Sequence, residues 1–298
     1  MAYVVRHTLS REEKLAYIEA EKCLMSRPAK LGLTPAARTI FDEFQMVHVL
    51  QTPEVHFVGA FLPFHRLYVH AHEYMLATEC NYIGAHPYWD ESLDAENWES
   101  SVLFDPDTGF GGNGVGASKC IADGPFKDYI NAIGPGQSQT DHCIDRDINK
   151  CLAKSAAPNV IENCMKMENF SSFWPCIENG PHGAGHGGVG GEMLNLFSSP
   201  GDPLFYLHHA YLDKLWAEWQ AKNASARFAD ITGRNTGLPF GFGPGFNGST
   251  PPVGSIPDGD PGNVTTLAHI LSVNEIVPNV TVADVMDTKG GLLCYEYI

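Results

Sequence analysis

The chemistry-bearing residues of this chain of 298 amino acids are its histidines. Five fall at positions 48, 56, 65, 70 and 72, and four more form the pairs His182/His186 and His208/His209. Imidazole is the commonest metal ligand, and it binds in its neutral form. Two groups of three imidazoles, with no cysteine or carboxylate among them, favour a borderline metal such as copper. The expectation is a two-metal, all-histidine redox site.

Residues four apart share one face of a helix, so His182 and His186 can meet one metal, with a third ligand from the helix bearing His208 and His209. Adjacent helical residues point about 100° apart, so one of that pair is the ligand and the other stands beside it. Asp213 shares the face of His209 and is expected either to accept a ring N–H or to make a structural ion pair. A zinc hydrolase built on His182 and His186 would want an HExxH-type glutamate, and residues 183–185 are Gly, Ala and Gly.

Elements must position these side chains. Ser10 and Glu13 read as a capping box opening a helix to about residue 25. Thr34-Pro35 reads as the start of a second, with Ile40, Phe41, Phe44 and Val47 inward and His48 near its end. Pro53 is expected to interrupt it, and a third helix to run from about residue 59 to 79 with Pro63 in its first turn. Residues 84–140, rich in Gly, Pro and Asp, read as a long ordered loop. One or two helices follow in 141–170. The stretch around His182 and His186 has so many glycines that a helix there needs metal or tertiary support. Asp202 as N-cap and Pro203 as first residue start a strong helix. Short β-like runs occur at 280–285 and 292–297.

No polar low-complexity linker divides the chain, which reads as one domain over residues 1–298. The formal charge of −16 argues against nucleic acid, though an acidic surface also serves plain solubility. No apolar run approaches the ~20 residues of a membrane span. Eight cysteines without a CxxC pair fit disulfides better than a zinc ribbon. Five glycosylation sequons, at Asn169, Asn223, Asn247, Asn263 and Asn279, point the same way, to a secreted glycoprotein. The first residues lack a signal-peptide pattern, so the expectation is that any such segment has been removed.

The strings FLPFHRLYVHAHE, PYWDESLD, DGPF, HCIDR, PHGAGHGGVGG and DPLFYLHHAYLDKLW resemble the type-3 copper proteins, specifically the short secreted fungal tyrosinase and catechol oxidase group, over residues 5–298. The resemblance implies a mainly α fold: a central antiparallel four-helix bundle holding a dicopper site, with long disulfide-stapled loops and a few short strands. It implies two copper ions, with O2 as co-substrate and small phenols as partners. His48, His56 and His65 become the ligands of copper A, and His182, His186 and His209 those of copper B, His209 being preferred to His208 because the family uses the second histidine of the pair. His70 and His72 match no ligand position, and His7, His86, His142 and His269 are isolated.

Three further residues acquire roles by the same route. Glu178 matches an acidic residue thought to hold a water near the coppers, and Leu196 a gate residue above copper B. Gly183 stands where family members strong on monophenols often carry an asparagine, thought to help a glutamate and a water deprotonate the phenol. Glu54 replaces a cysteine that in many members cross-links the second copper A histidine, so no thioether is expected. Tyr295 and Tyr297 match the tyrosine motif closing the family's catalytic core, implying no C-terminal shielding domain. The expected reaction is oxidation of o-diphenols to o-quinones with reduction of O2 to water. Ortho-hydroxylation of monophenols or guaiacols ranks second, and an oxygen carrier of the haemocyanin kind behind both.

Overall fold

The histidines are carried on helices that start where the sequence supplies a cap. The computed structural model describes residues 2–237 and 259–298. After strand β1 (Ala2–Val5), helix α1 (Arg11–Leu24) opens on the expected box: the Ser10 hydroxyl accepts from Glu13 N at 3.2 Å and the Glu13 carboxylate accepts from Ser10 N at 2.8 Å.

Helix α2 (Ile40–Val55) begins later than Thr34-Pro35 suggested, because the complete box is Thr39 with Asp42. Residues 30–32 turn instead around Glu43, whose carboxylate accepts three successive amides at 2.8, 2.5 and 2.9 Å. Nor does Pro53 interrupt α2. It sits in the last turn, where the missing amide forfeits one bond while two more residues stay helical. Helix α3 (Phe61–Cys80) has Pro63 in its first turn, as expected, and ends on Asn81 in the left-handed conformation, φ 55°.

Residues 84–140 contain only short strands and single 3-10 turns, among them β2 (His86–Tyr88). This long segment is held by the buried Arg146, whose guanidinium donates to the Phe110 and Gly111 carbonyls at 3.2 and 2.6 Å and pairs with Asp202 at 2.7 and 2.9 Å. Asp202 in turn accepts from Leu204 N at 3.1 Å. It thereby holds the first amide of the helix that carries His208 and His209, although the N-cap residue of that helix is Pro203 and not Asp202 as the sequence suggested.

Three more helices complete the site's frame: α4 (Phe170–Ile177), α5 (Gly183–Val189) and α6 (Leu204–Ala221). Pro203 lies at the cap of α6 rather than inside its first turn. Helices α3 and α6 pack together around a buried ion pair, Arg66 Nε to Asp213 at 2.5 Å, with the guanidinium 3.7 Å from the Trp216 ring centre. Of the expected run 280–285 only Val280–Thr281 is strand, since Thr281 and Asp284 cap a helical turn over Val282–Val285. Strand β3 (Glu296–Tyr297) joins β2 and β1 in a parallel sheet of order β2-β1-β3.

The expectation of a mainly helical bundle with stapled loops and few strands holds. Disulfides join Cys23 to Cys80, Cys120 to Cys143 and Cys164 to Cys176. Cys151 is an exposed cysteine outside these bonds, and the Cys294 sulfur lies 3.2 Å from the Gly291 carbonyl. Among the described residues no helix is long and apolar enough to cross a membrane.

Candidate metal centre

His48 lies on α2, His56 at its C-terminal cap and His65 one turn into α3. All three are buried. Each turns its Nδ1 to a backbone carbonyl: His48 to Phe197 at 2.7 Å, His56 to Thr52 at 3.1 Å, His65 to Phe61 at 2.8 Å. A carbonyl can only accept, so Nδ1 carries the proton and the Nε2 lone pair is left free. One ring nitrogen from each lies within 4.8 Å of the others, and the Nε2 atoms of His48 and His65 are buried without a partner. Burial lowers the pKa of all three, that of His56 to about 3, so the rings are neutral. Neutral imidazoles with converging free lone pairs are what a metal ion requires.

The second group is built on a backbone irregularity. Glu178–His182 is a single π turn between α4 and α5, a feature frequent at functional sites. His182 and His186 follow at helical spacing, with Nδ1 on Glu178 O at 3.0 Å and on Met193 O at 2.5 Å. Neighbours pack against the glycine-rich α5 more closely than side chains would allow: a Cβ at Gly185 would lie 2.1 Å from the His208 ring. This is the tertiary support its composition demands.

His209 stacks on His65 with ring centres 4.1 Å apart and planes 10° from parallel, and its Nε2 lies 3.3 Å from His186 Nε2. It therefore bridges the two groups. His208 turns away, its Nδ1 bonded to the buried Glu91 carboxylate, though one of its ring nitrogens also falls within the 4.8 Å cluster. Burial drives this pair toward neutral forms, raising the Glu91 pKa and lowering that of His208 to about 3. Glu91 lies within PYWDESLD, but no local pattern marks it as a partner of a residue 117 positions away. Asp213 does not serve His209. It binds Arg66 and both Tyr295 and Tyr297, the structural alternative.

Above the histidines lies a cavity of about 270 Å³ lined by His56, Phe57, Glu178, Asn179, His182, Gly183, His186, Leu194, Leu196 and Ser199. Glu178 is buried: one oxygen accepts from Phe57 N at 2.7 Å, the other has no partner, and burial pushes its pKa up to about 8. Phe57 presents that amide from a left-handed backbone, φ 59°. Leu196 is half-buried on the cavity wall. At Gly183 a Cβ would meet nothing nearer than Glu178 O at 3.9 Å.

The remaining histidines are engaged elsewhere. His72 pairs with Glu21 at 3.2 Å and stacks on Tyr206, and His70 lies near Glu73. His7, His142 and His269 pair with Asp94, Glu192 and Asp260, while His86 stacks on Tyr3.

Comparison with known proteins gives this geometry its family. Residues 38–222 match the family model described as the common central domain of tyrosinase. The chain is 31% identical over 313 residues to the tyrosinase-like protein phomQ1 of Diaporthe leptostromiformis, covering 97% of this chain and 75% of that protein. It is 31% identical over 287 residues to tyrosinase P of Aspergillus terreus, covering 78% of this chain and 80% of that one. A solved structure of a polyphenol oxidase variant from Thermothelomyces thermophila superposes with a TM-score of 0.85 at 28% identity, covering 100% of this chain and 88% of that one. The chain thus belongs to the tyrosinase family of type-3 copper polyphenol oxidases, whose central domain implies a dinuclear copper site.

Proposed function

We propose that this protein oxidises o-diphenols to o-quinones, two catechols being oxidised for each O2 reduced to two waters. The observation that carries the reading is the donor set: imidazoles whose Nδ1 atoms are mostly committed to backbone carbonyls, with Nε2 lone pairs converging beneath a cavity of phenol size. His48, His56 and His65 would hold copper A, and His182, His186 and His209 copper B. The place of His209 between His65 and His186 supports that choice, and the bond from His208 to Glu91 supports leaving His208 beside the metal.

When bound, the copper pair supplies electron transfer between phenol and O2, which the protein's own side chains do not provide. The chain orients the substrate and handles its protons. Leu196 and Phe57 form apolar walls, so a ring enters with loss of water from both surfaces. The free oxygen of Glu178 accepts a phenolic proton, directly or through a water. The open space at Gly183 leaves room for a ring substituent, which favours guaiacol-type phenols as a second substrate class with ortho-hydroxylation before oxidation.

In this reading residues 1–298 are one catalytic domain and the protein is a secreted glycoprotein. Asn169, Asn223, Asn263 and Asn279 are exposed, as glycan attachment requires, and Asn247 lies outside the described residues. Oxygen uptake by the copper-loaded protein with catechol, phenol and guaiacol tests the reaction. Sustained uptake should be fastest with catechol. Uptake with phenol at the same rate would overturn the substrate order, and no sustained uptake with any of them would indicate a carrier.

A further inference from the structure

We propose that residues 192–199 form one backbone bridge that fixes a histidine of each metal group together with a wall of the cavity, and that Asn195 is the positioning residue setting its shape. Two of its carbonyls take ring protons: Met193 O from His186 at 2.5 Å and Phe197 O from His48 at 2.7 Å. The Thr52 hydroxyl, which donates to His48 O at 2.6 Å, lies 3.4 Å from both a third carbonyl, Leu196 O, and His48 Nδ1. The side chains of Leu194 and Leu196 meanwhile line the cavity. A single segment of chain therefore touches both histidine groups and the substrate space.

Between the helical turn Gly191–Leu194 and the 3-10 turn Ser199–Gly201 the segment has no regular structure to aim its carbonyls. Asn195 supplies the order. Its Oδ1 accepts from Phe197 N at 3.1 Å and Ser198 N at 3.3 Å, its amide donates to Glu192 O at 3.0 Å, and its carbonyl accepts from Ser199 N at 3.1 Å. This is an Asx turn closing the loop on itself. The flanks are anchored from outside. Gln45 Nε2 donates to the Glu192 carboxylate at 3.1 Å and to Ser198 O at 2.9 Å, and His142 Nε2 pairs with the other Glu192 oxygen at 3.1 Å. The anchors fix the ends of the bridge and Asn195 fixes its middle. Hydrogen-bond strength falls steeply with angle, so a loosened turn would misdirect both ring-accepting carbonyls at once.

The inference rests on the dicopper reading above, and it predicts that one lesion outside the ligand set weakens both metals. Partners of this kind change metal affinity by about 10–100-fold. The test compares Asn195→Asp, which keeps the acceptor, Asn195→Ser, which keeps a weaker one, and Asn195→Ala, which has none. Each protein is loaded with copper and titrated with the Cu(I) chelator bicinchoninate under reducing conditions. Far-UV circular dichroism checks the fold, and KM and kcat are measured for 4-tert-butylcatechol.

The expected result is that Asn195→Ala releases both coppers together at about tenfold lower chelator, with a raised KM, while Asn195→Asp stays within about twofold of the wild type. Asn195→Ser should fall between them, and it decides the matter against Asn195→Asp should the alanine variant not fold. Release of only one copper at lower chelator, or of both at the wild-type concentration, would overturn the proposal. A wild-type protein that takes up no copper would sink the dicopper reading instead, a distinct outcome.

Discussion

Gly183 and Gly185 lie two residues apart in α5, and the structure predicts opposite consequences for filling them. At Gly185 a Cβ would stand 2.1 Å from the His208 ring and 2.8 Å from a Glu91 oxygen, both fully buried and bonded to each other. Alanine gains about 1 kcal/mol of helix propensity over glycine. Overpacking of about 1–3 kcal/mol opposes this, at the upper end because neither neighbour can withdraw without breaking its own bond. The net is a loss of about 2 kcal/mol. With an unfolding entropy of about 2.1 cal/mol/K per residue, that lowers Tm by about 3 °C. At Gly183 the space is open, so asparagine costs nothing sterically and gains about 0.3 kcal/mol in propensity, shifting Tm by less than about 1 °C. Its amide also lies in the cavity that holds Glu178. A hydrogen bond to a charged group is worth about 1.5–3 kcal/mol, so if it forms as the phenol loses its proton the monophenol rate rises about ten- to a hundredfold relative to catechol. Thermal melts of the copper-free proteins and oxygen uptake with phenol and catechol measure both effects. Equal Tm losses in Gly183→Asn and Gly185→Ala, or an unchanged phenol-to-catechol ratio in Gly183→Asn, would refute the reasoning.

Glu178→Gln keeps an acceptor for Phe57 N but not a base, and should lower kcat/KM for catechol about a hundredfold with copper content unchanged, as measured by oxygen uptake and metal analysis. Glu91→Ala removes the partner of His208 Nδ1 inside the core and should cost about 1–3 kcal/mol in urea unfolding, whereas Glu91→Gln, which keeps a hydrogen-bonding group there, should cost less. Glu73 gives a pH dependence. Burial raises its carboxyl to about 7, so the folded state binds that proton more tightly than the unfolded chain. The contribution is fully present below about pH 4.5 and is lost as pH rises through 7, up to about 3 kcal/mol in all. Melts of the copper-free protein from pH 4.5 to 7.5 should show this decline in the wild type and a shallower one in Glu73→Gln.

Much of this site was legible because its signals are local. The capping box at Ser10, the four-residue spacing of His182 and His186, and the proline in the first turn of α3 are each decided within a few residues. Misreadings arose where two local signals competed. Thr34-Pro35 looked like a helix start, but Thr39 had the acidic partner at N3, and the β-branched run after Val280 gave way to the Thr281–Asp284 box. Asp213 shows a different limit. Helical spacing set it under His209, yet its partner Arg66 lies 147 positions away. Glu91 was unreadable for the same reason, and so were the acceptors of the histidine Nδ1 protons. Backbone carbonyls carry no residue signature, so the bridge at 192–199 emerges only from coordinates.

The most direct measurement is the copper content of the loaded protein and of two adjacent variants. The account predicts about two coppers per chain in the wild type, two in His208→Ala and about one in His209→Ala. One zinc and no copper per chain would contradict the central claim of a dicopper oxidase, and loss of copper from His208→Ala but not from His209→Ala would reverse the ligand assignment.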